Sequence, residues 1–240
     1  MDLIRTSKKV GDNAYFKFKD IPILDIRRNS IPDLCEGKRV LVIGCVDMIE
    51  IISLQKYIEE GKHQFHNISD KASYTAGIDI NETGIKQLSE NGYNVECCDI
   101  LSQHCHYLDE EYDYVVISHV IEHVIDLTGF IKKIVDTIKT KEFIFAVPNA
   151  YNIKHALPCL LFQRERVSND HYYTFTPITF VKLIEGLQFK VQSIYLDQDR
   201  RILLGRKHLI FGTIWSYIKA KVFKHSGDIV LVAKVTSPYK

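Results

Sequence analysis

Runs of apolar residues alternate along the chain with stretches of helical spacing. Lys38 to Gly44 passes from a charged edge into a continuous apolar run and ends on glycine, the pattern of a strand covered on both faces. Tyr74 to Ile80, Tyr93 to Cys97, Tyr114 to Ser118 and Glu142 to Val147 read as further strands, the last stopped by Pro148. Between them, Ile49 to Glu60 is apolar at 51, 52, 54 and 58, Glu82 to Asn91 is closed by Gly92, and Leu127 to Lys139 gathers Phe130, Ile131, Ile134, Val135 and Ile138 on one side. Thr176 and Pro177 predict a capped helix running to Leu187, followed by strands at Phe189 to Leu196 and Asp228 to Val235. Strands separated by helices of this length predict an α/β fold: a mostly parallel sheet with helices on both faces. Pro22 and Pro32 interrupt the first 35 residues, so 1–35 is expected to be an irregular arm with one short helix, and 36–240 a single domain.

Composition narrows the function. Lys and Arg number 31 against 30 Asp and Glu, so no global field draws the molecule onto nucleic acid. The cysteines at 35, 45, 97, 98, 105 and 159 form no CxxC pair, and the simplest expectation is a reduced cytoplasmic protein. The amino terminus carries no apolar core flanked by a cleavage site, and no run of 18 apolar residues occurs, so neither secretion nor membrane spanning is expected.

Candidate chemistry collects where strands should end. In an open α/β sheet ligands sit at the carboxyl ends of strands, and the strand Tyr114 to Ser118 is followed at once by His119, Glu122 and His123. Asp79 ends the second strand, where a carboxylate can accept two hydrogen bonds from ribose hydroxyls. Gly44 allows a tight turn and a close backbone approach to a ligand.

In order and spacing, Arg39 to Cys45, Gly77 to Asn81, Cys98 to Ile100, the run Val120, Ile121, Glu122, His123, Val124, then Val147 to Asn149 and Asp170 to Pro177 resemble the class I S-adenosylmethionine-dependent methyltransferases. Among them the chain looks most like the bacterial small-molecule type with a V-I-E-H-V signature, over roughly residues 38 to 236. The resemblance implies a Rossmann-like seven-stranded sheet with the last strand inserted antiparallel, and S-adenosyl-L-methionine as cofactor, leaving S-adenosyl-L-homocysteine. It assigns Gly44, Cys45 and Val46 to the loop beneath the methionine part, Asp79 and Ile80 to the ribose end, Asp99 and Ile100 to adenine, and Ser118 to the same site. The family's loop carries an acidic residue and two more glycines where this chain has Val42, Val46 and Met48. Asp99 reads equally as the cap of its own turn.

Methyl transfer needs an acceptor lone pair in line with the methyl group and removal of one proton. His123 or His119 is suited to that removal, with His171 as the alternative base and Glu122 fixing a tautomer, holding the acceptor or balancing the sulfonium. Glu122 reads equally as a helix-opening cap. Tyr172, Tyr173 and Asn149 are further candidates for the acceptor wall. The acidic position upstream of the signature is Ser118 or His119, so an oxygen-rich metal site is incomplete and no metal is expected.

The expected reaction is methylation at oxygen or nitrogen of a small polar acceptor, with a sugar or phosphate-containing metabolite of a cell-surface polysaccharide pathway as the specific candidate. A nicotinamide-dependent oxidoreductase or epimerase is the alternative enzyme, yet the G-x-G-x-x-G phosphate loop is absent and Tyr151 and Lys154 stand one residue too close together. A methyltransferase-like binding module without activity is the third reading. The stretch 200–226 holds Arg200, Arg201, Arg206, Lys207, Lys219, Lys221 and Lys224 with no acidic residue, and Phe211, Ile214, Trp215, Ile218 and Val222 recur at helical spacing. Such a basic amphipathic insertion suits an anionic membrane surface, a phosphate-bearing substrate or a dimer face, and equally a helix packed on its own domain.

Overall fold

The computed structural model describes residues 8–10, 13–15, 21–22, 30–47, 53–140, 142–197 and 227–236. A short hairpin, β1 (Lys8–Val10) with β2 (Asn13–Tyr15), stands in the arm expected to be irregular, followed by the one short helix foreseen there, α1 (Ser30–Leu34). The domain then runs β3 (Arg39–Ile43), α2 (Leu54–Glu59), α3 (Gln64–Ser69), β4 (Tyr74–Asp79), α4 (Glu82–Glu90), β5 (Val95–Cys97), β6 (Tyr114–Ser118), α5 (Leu127–Thr137) and β7 (Glu142–Val147). It closes with α6 (Ile153–Phe162), α7 (Pro177–Gly186), β8 (Phe189–Asp197) and β9 (Asp228–Val235). Single 3-10 turns at His106–Asp109 and Ile121–His123 flank β6.

Seven strands pair in the order β5-β4-β3-β6-β7-β9-β8. β3 to β7 are parallel, and β9 lies antiparallel between β7 and β8. The uninterrupted apolar runs follow from a sheet covered twice. Leu41, Ile43, Val115, Ile117, Phe143 and Phe145 face one core with α5 and α7, while Val40, Val42, Val116 and Ile144 face the other with α1, α3 and α4. Burying Phe130, Ile131 and Ile134 of α5 contributes roughly 1.5–3 kcal/mol each. That fixes α5 beneath the carboxyl end of β6.

Several elements differ from the sequence pattern. The described part of the first helix begins at Leu54; Ile49 to Ile52, Met48 and the basic stretch 200–226 lie outside the described residues. Helix α3 was not expected, and neither was α6, which contains Pro158. By contrast, Thr176 caps α7 as foreseen, exchanging hydrogen bonds with Thr179 while Pro177 takes the first helical position. Among the described residues no helix is long and apolar enough to cross a membrane.

Cys98 and Cys105, expected as separate thiols, stand side by side with Cα atoms 6.1 Å apart, a separation that a disulfide can span. The sequence spacing gave no hint, because the loop after β5 doubles back to bring the two together. Cys35, Cys45, Cys97 and Cys159 are free.

Candidate active site

The strand order reverses between β3 and β6, which are paired in the centre of the sheet while their chains continue to opposite sides. At such a switch point the loops after the two strands diverge and leave a crevice. Here the crevice is a cleft of about 670 Å³ whose walls include Gly44 and Asp47 after β3, Asp79 and Ile80 after β4, and His119 and His123 after β6.

Two backbone features build its floor. Gly44 has φ +79°, and a Cβ there would lie 2.3 Å from Val120 Cγ2, so the loops after β3 and β6 touch only because position 44 has no side chain. Asp47 and His119 both take left-handed backbone, with φ 58° and 55°, a conformation in which Asp and His are enriched among non-glycine residues. Both line the cleft.

The glycine-poor loop follows a path that its neighbours accommodate. Cys45 and Val46 are buried and their side chains do not line the cleft, so any contact this pair makes with a ligand is through the backbone. Val46 instead fills a notch at Gly84 of α4, where a Cβ would lie 2.1 Å from Val46 Cγ1, and Cys45 packs over Gly77. Among the described residues of this loop, Asp47 is the side chain that lines the cleft. Desolvation raises its pKa, with the Gln64 amide opposing.

Asp79 Oδ2 accepts from the Val46 amide at 3.0 Å and Oδ1 from the Asn81 amide at 3.0 Å. The carboxylate is thereby fixed at the mouth of β4, and each oxygen keeps a second lone pair. Ile80, 75% exposed, and Leu101, 51% exposed, offer bare apolar surface at the same end, beside buried Ile100. Asp99 lines the cleft and braces its own loop: Oδ1 accepts from the Leu101 amide and Oδ2 from the Ser102 hydroxyl. The turn-capping reading of Asp99 is thus realised. Ser118 closes β6 with its hydroxyl buried and without a hydrogen-bond partner.

His119 is removed from the list of bases. Its Nδ1 lies 3.4 Å from Glu122 Oε1 and its Nε2 3.4 Å from Asp228 Oδ2, so a carboxylate faces each ring nitrogen. Desolvation works against the imidazolium, but Asp228 first and Glu122 second outweigh it and raise the pKa to about 10. A ring protonated throughout the neutral range has no lone pair to offer. Glu122 is fully buried, and neither of its oxygens receives a hydrogen bond.

His123 keeps that capacity. Its Nδ1 lies 3.2 Å from the Asp170 carbonyl and 3.1 Å from Asp170 Oδ2, so a proton on Nδ1 leaves Nε2 as the acceptor. Asp170, not Glu122, fixes this ring. The His171 ring stands edge-on to it, centroids 4.6 Å apart, and desolvation lowers the His171 pKa, keeping that ring neutral. One carboxylate oxygen of Glu122 and one ring nitrogen each of His123 and His171 all lie within 4.8 Å of one another.

Three candidates for the acceptor wall are displaced from it. Asn149 is buried and donates to the Gly227 carbonyl while accepting from the Tyr151 amide, so it ties the loop after β7 to the start of β9. Tyr173 donates its hydroxyl to the Ile125 carbonyl, and Tyr172 is bound through its amide to the Glu122 carbonyl with its ring exposed. Neither tyrosine lines the cleft; Ser168, Asp170 and His171 do. Asp47, Asp170 and Asp228 were missed as site residues. Asp170 had a signal, since it opens the Asp170 to Pro177 segment, and Asp228 opens the last strand; Asp47 stands three residues past Gly44 in the loop already singled out.

A family model described as a methyltransferase domain matches residues 23–194. No curated protein matches the chain. Among solved structures, a S-adenosylmethionine-dependent methyltransferase from Archaeoglobus fulgidus is similar at 22% identity and TM-score 0.50, covering 85% of this chain and 89% of its own. The Haloferax volcanii complex of the Trm112 methyltransferase activator with a proposed methyltransferase is similar at 12% identity and TM-score 0.56, covering 92% and 87%. A proposed S-adenosylmethionine-dependent methyltransferase from Listeria monocytogenes follows at 15% identity and TM-score 0.50, covering 84% and 91%. At these identities the likeness is one of fold.

Proposed function

The chain belongs to the methyltransferase-domain family, and on that premise we propose that it is an S-adenosylmethionine-dependent methyltransferase acting on oxygen or nitrogen of a small polar acceptor. The carrying observation is that the fixed Asp79 carboxylate and the His123 ring open onto one cleft. The residues fit such a donor. Asp79 has lone pairs left for two ribose hydroxyls, Ile80, Ile100 and Leu101 suit a flat apolar ring, and the Gly44 turn leaves backbone unobstructed. A cleft of this size falls in the roughly 300–1,000 Å³ range of small-molecule sites. When bound, the donor supplies an electrophilic methyl group on a sulfonium.

The chain supplies orientation and one proton acceptor. His123, held by Asp170, takes the acceptor's proton at Nε2, with the His171 ring edge-on beside it. His119 stays protonated and spans Glu122 and Asp228, which ties the turn after β6 to the start of β9. A sugar of a cell-surface polysaccharide pathway is the specific acceptor we favour, because the V-I-E-H-V type of signature is shared with enzymes of such pathways. The nicotinamide alternative finds no support in the loop after β3, which lacks the glycines that cradle a pyrophosphate.

Thermal shift tests the reading. S-adenosylhomocysteine at about a hundred times its Kd stabilises the native state by about 2.7 kcal/mol, and NAD does not. Asp79→Asn keeps the fold and weakens S-adenosylhomocysteine binding at least about tenfold, the loss of one charge-assisted pair. An unshifted melting temperature with S-adenosylhomocysteine refutes the proposal.

A further inference from the structure

We propose that the acceptor presents a protonated primary amine to Glu122, His123 and His171, and that this nitrogen is the atom methylated. The inference rests on the methyl-transfer reading above and narrows its acceptor from any polar group to an ammonium. Three acceptor atoms, one from each residue, lie within 4.8 Å of one another. An ammonium with tetrahedral N–H bonds and acceptors at about 2.8 Å sets those acceptors about 4.6 Å apart. Zinc at about 2.1 Å would draw its ligands to about 3.4 Å from each other. A cluster within 4.8 Å has room for the ammonium, and the metal alternative is separated from it by the test below.

Glu122 supplies the second observation. It is fully buried and both its oxygens lack a donor, a costly state unless a cation or donor arrives. His119 compensates only from one side, at Oε1. Charge agrees with geometry. Asp170 lines this end of the cleft, Glu122 and Asp228 flank the single imidazolium of His119 in its wall, and no Lys or Arg lines it among the described residues. A phosphate ester would meet repulsion here, so the phosphate-bearing acceptor considered from sequence is not favoured.

The step balances. The ammonium gives one proton to His123 Nε2, the nitrogen then turns so that the freed lone pair lies in line with the methyl group, and the N–C bond forms as the S–C bond breaks. The bonding pair stays on sulfur, yielding neutral S-adenosylhomocysteine and a protonated secondary amine. His123 passes its proton to solvent through its exposed edge, since its side chain is 34% accessible.

The test uses full-length protein, donor labelled in the methyl group, and a small-metabolite extract of the source cells, untreated or treated beforehand with acetic anhydride to acetylate amines. Labelled product retained on a cation exchanger at pH 7, and reduced at least tenfold by prior acetylation, is the expected result. A labelled product that is indifferent to acetylation or retained on an anion exchanger overturns the proposal. Activity lost in EDTA and restored by zinc or magnesium also overturns it, reassigning the three residues to a metal. Glu122→Gln is expected to raise the acceptor KM at least tenfold while leaving the Kd for S-adenosylhomocysteine unchanged; an unchanged KM argues against the ammonium. If S-adenosylhomocysteine binds but no labelled product forms from any fraction, the methyl-transfer reading itself fails, an outcome separate from the acceptor's charge.

Discussion

Replacing His119 by asparagine removes the cation between Glu122 and Asp228 while keeping a residue that tolerates left-handed backbone. Breaking a fully buried pair costs about 3–5 kcal/mol because a charge is left behind, and an exposed pair is worth about 0–1 kcal/mol. The pair here is mixed: the Glu122 side chain is 1% exposed and that of His119 is 45% exposed. Discounting for solvent at the histidine gives about 2 kcal/mol at pH 7. Urea unfolding of wild type, His119→Asn, Glu122→Gln and the double variant isolates the term. The second substitution should cost about 2 kcal/mol less in the presence of the first. The pH dependence has a definite sign. The folded pKa of His119, about 10, lies above the ordinary value of about 6.5, so its contribution is complete below pH 6.5 and is lost as pH rises towards 10. Wild type should therefore lose stability between pH 7 and 10 relative to His119→Asn. A coupling energy below about 0.5 kcal/mol, or parallel pH profiles, refutes the clamp.

Two further outcomes follow from the geometry. His123→Ala lowers kcat by about a hundredfold and leaves the Kd for S-adenosylhomocysteine within twofold, measured by labelled methyl transfer and calorimetry; an unchanged kcat moves the base to His171. Oxidising Cys98 and Cys105 to a disulfide, which closes a loop of sequence separation 7, stabilises by about 2.5 kcal/mol through chain entropy, read as a urea midpoint that falls in dithiothreitol. Cys105→Ser should remove that sensitivity, and persistent sensitivity would implicate other thiols.

The sheet was readable because each central strand is buried on both sides, which writes it as an unbroken apolar run with glycine, proline or charge at its ends. Tyr114–Ser118 and Asp228–Val235 appear at their predicted limits for that reason. Helix α6 was not readable, since its run of Ile, Leu, Cys and Phe lacks a polar face and includes Pro158. The hairpin β1–β2 offers only three residues a strand, too few for any period. At the site, residues next to strand ends were visible one by one: Asp79, His119, Glu122 and His123. Their partnerships were not. Asp228 meets His119 across 109 positions of sequence because β9 is inserted beside β7, and Asp170 reaches His123 through a loop following α6. The packing of the Cys45 and Val46 side chains against Gly77 and Gly84 was likewise not legible, because it depends on which way the loop after β3 turns.

The meeting of Val46 with Gly84 bears on how relatives of this chain are recognised. The loop carries the bulk and the adjoining helix the hollow, and the joint between them is filled. Searches keyed to glycines in the loop alone will overlook proteins packed this way. Swapping either partner singly should open a void or force a collision, so in descendants the two positions are expected to change as a couple.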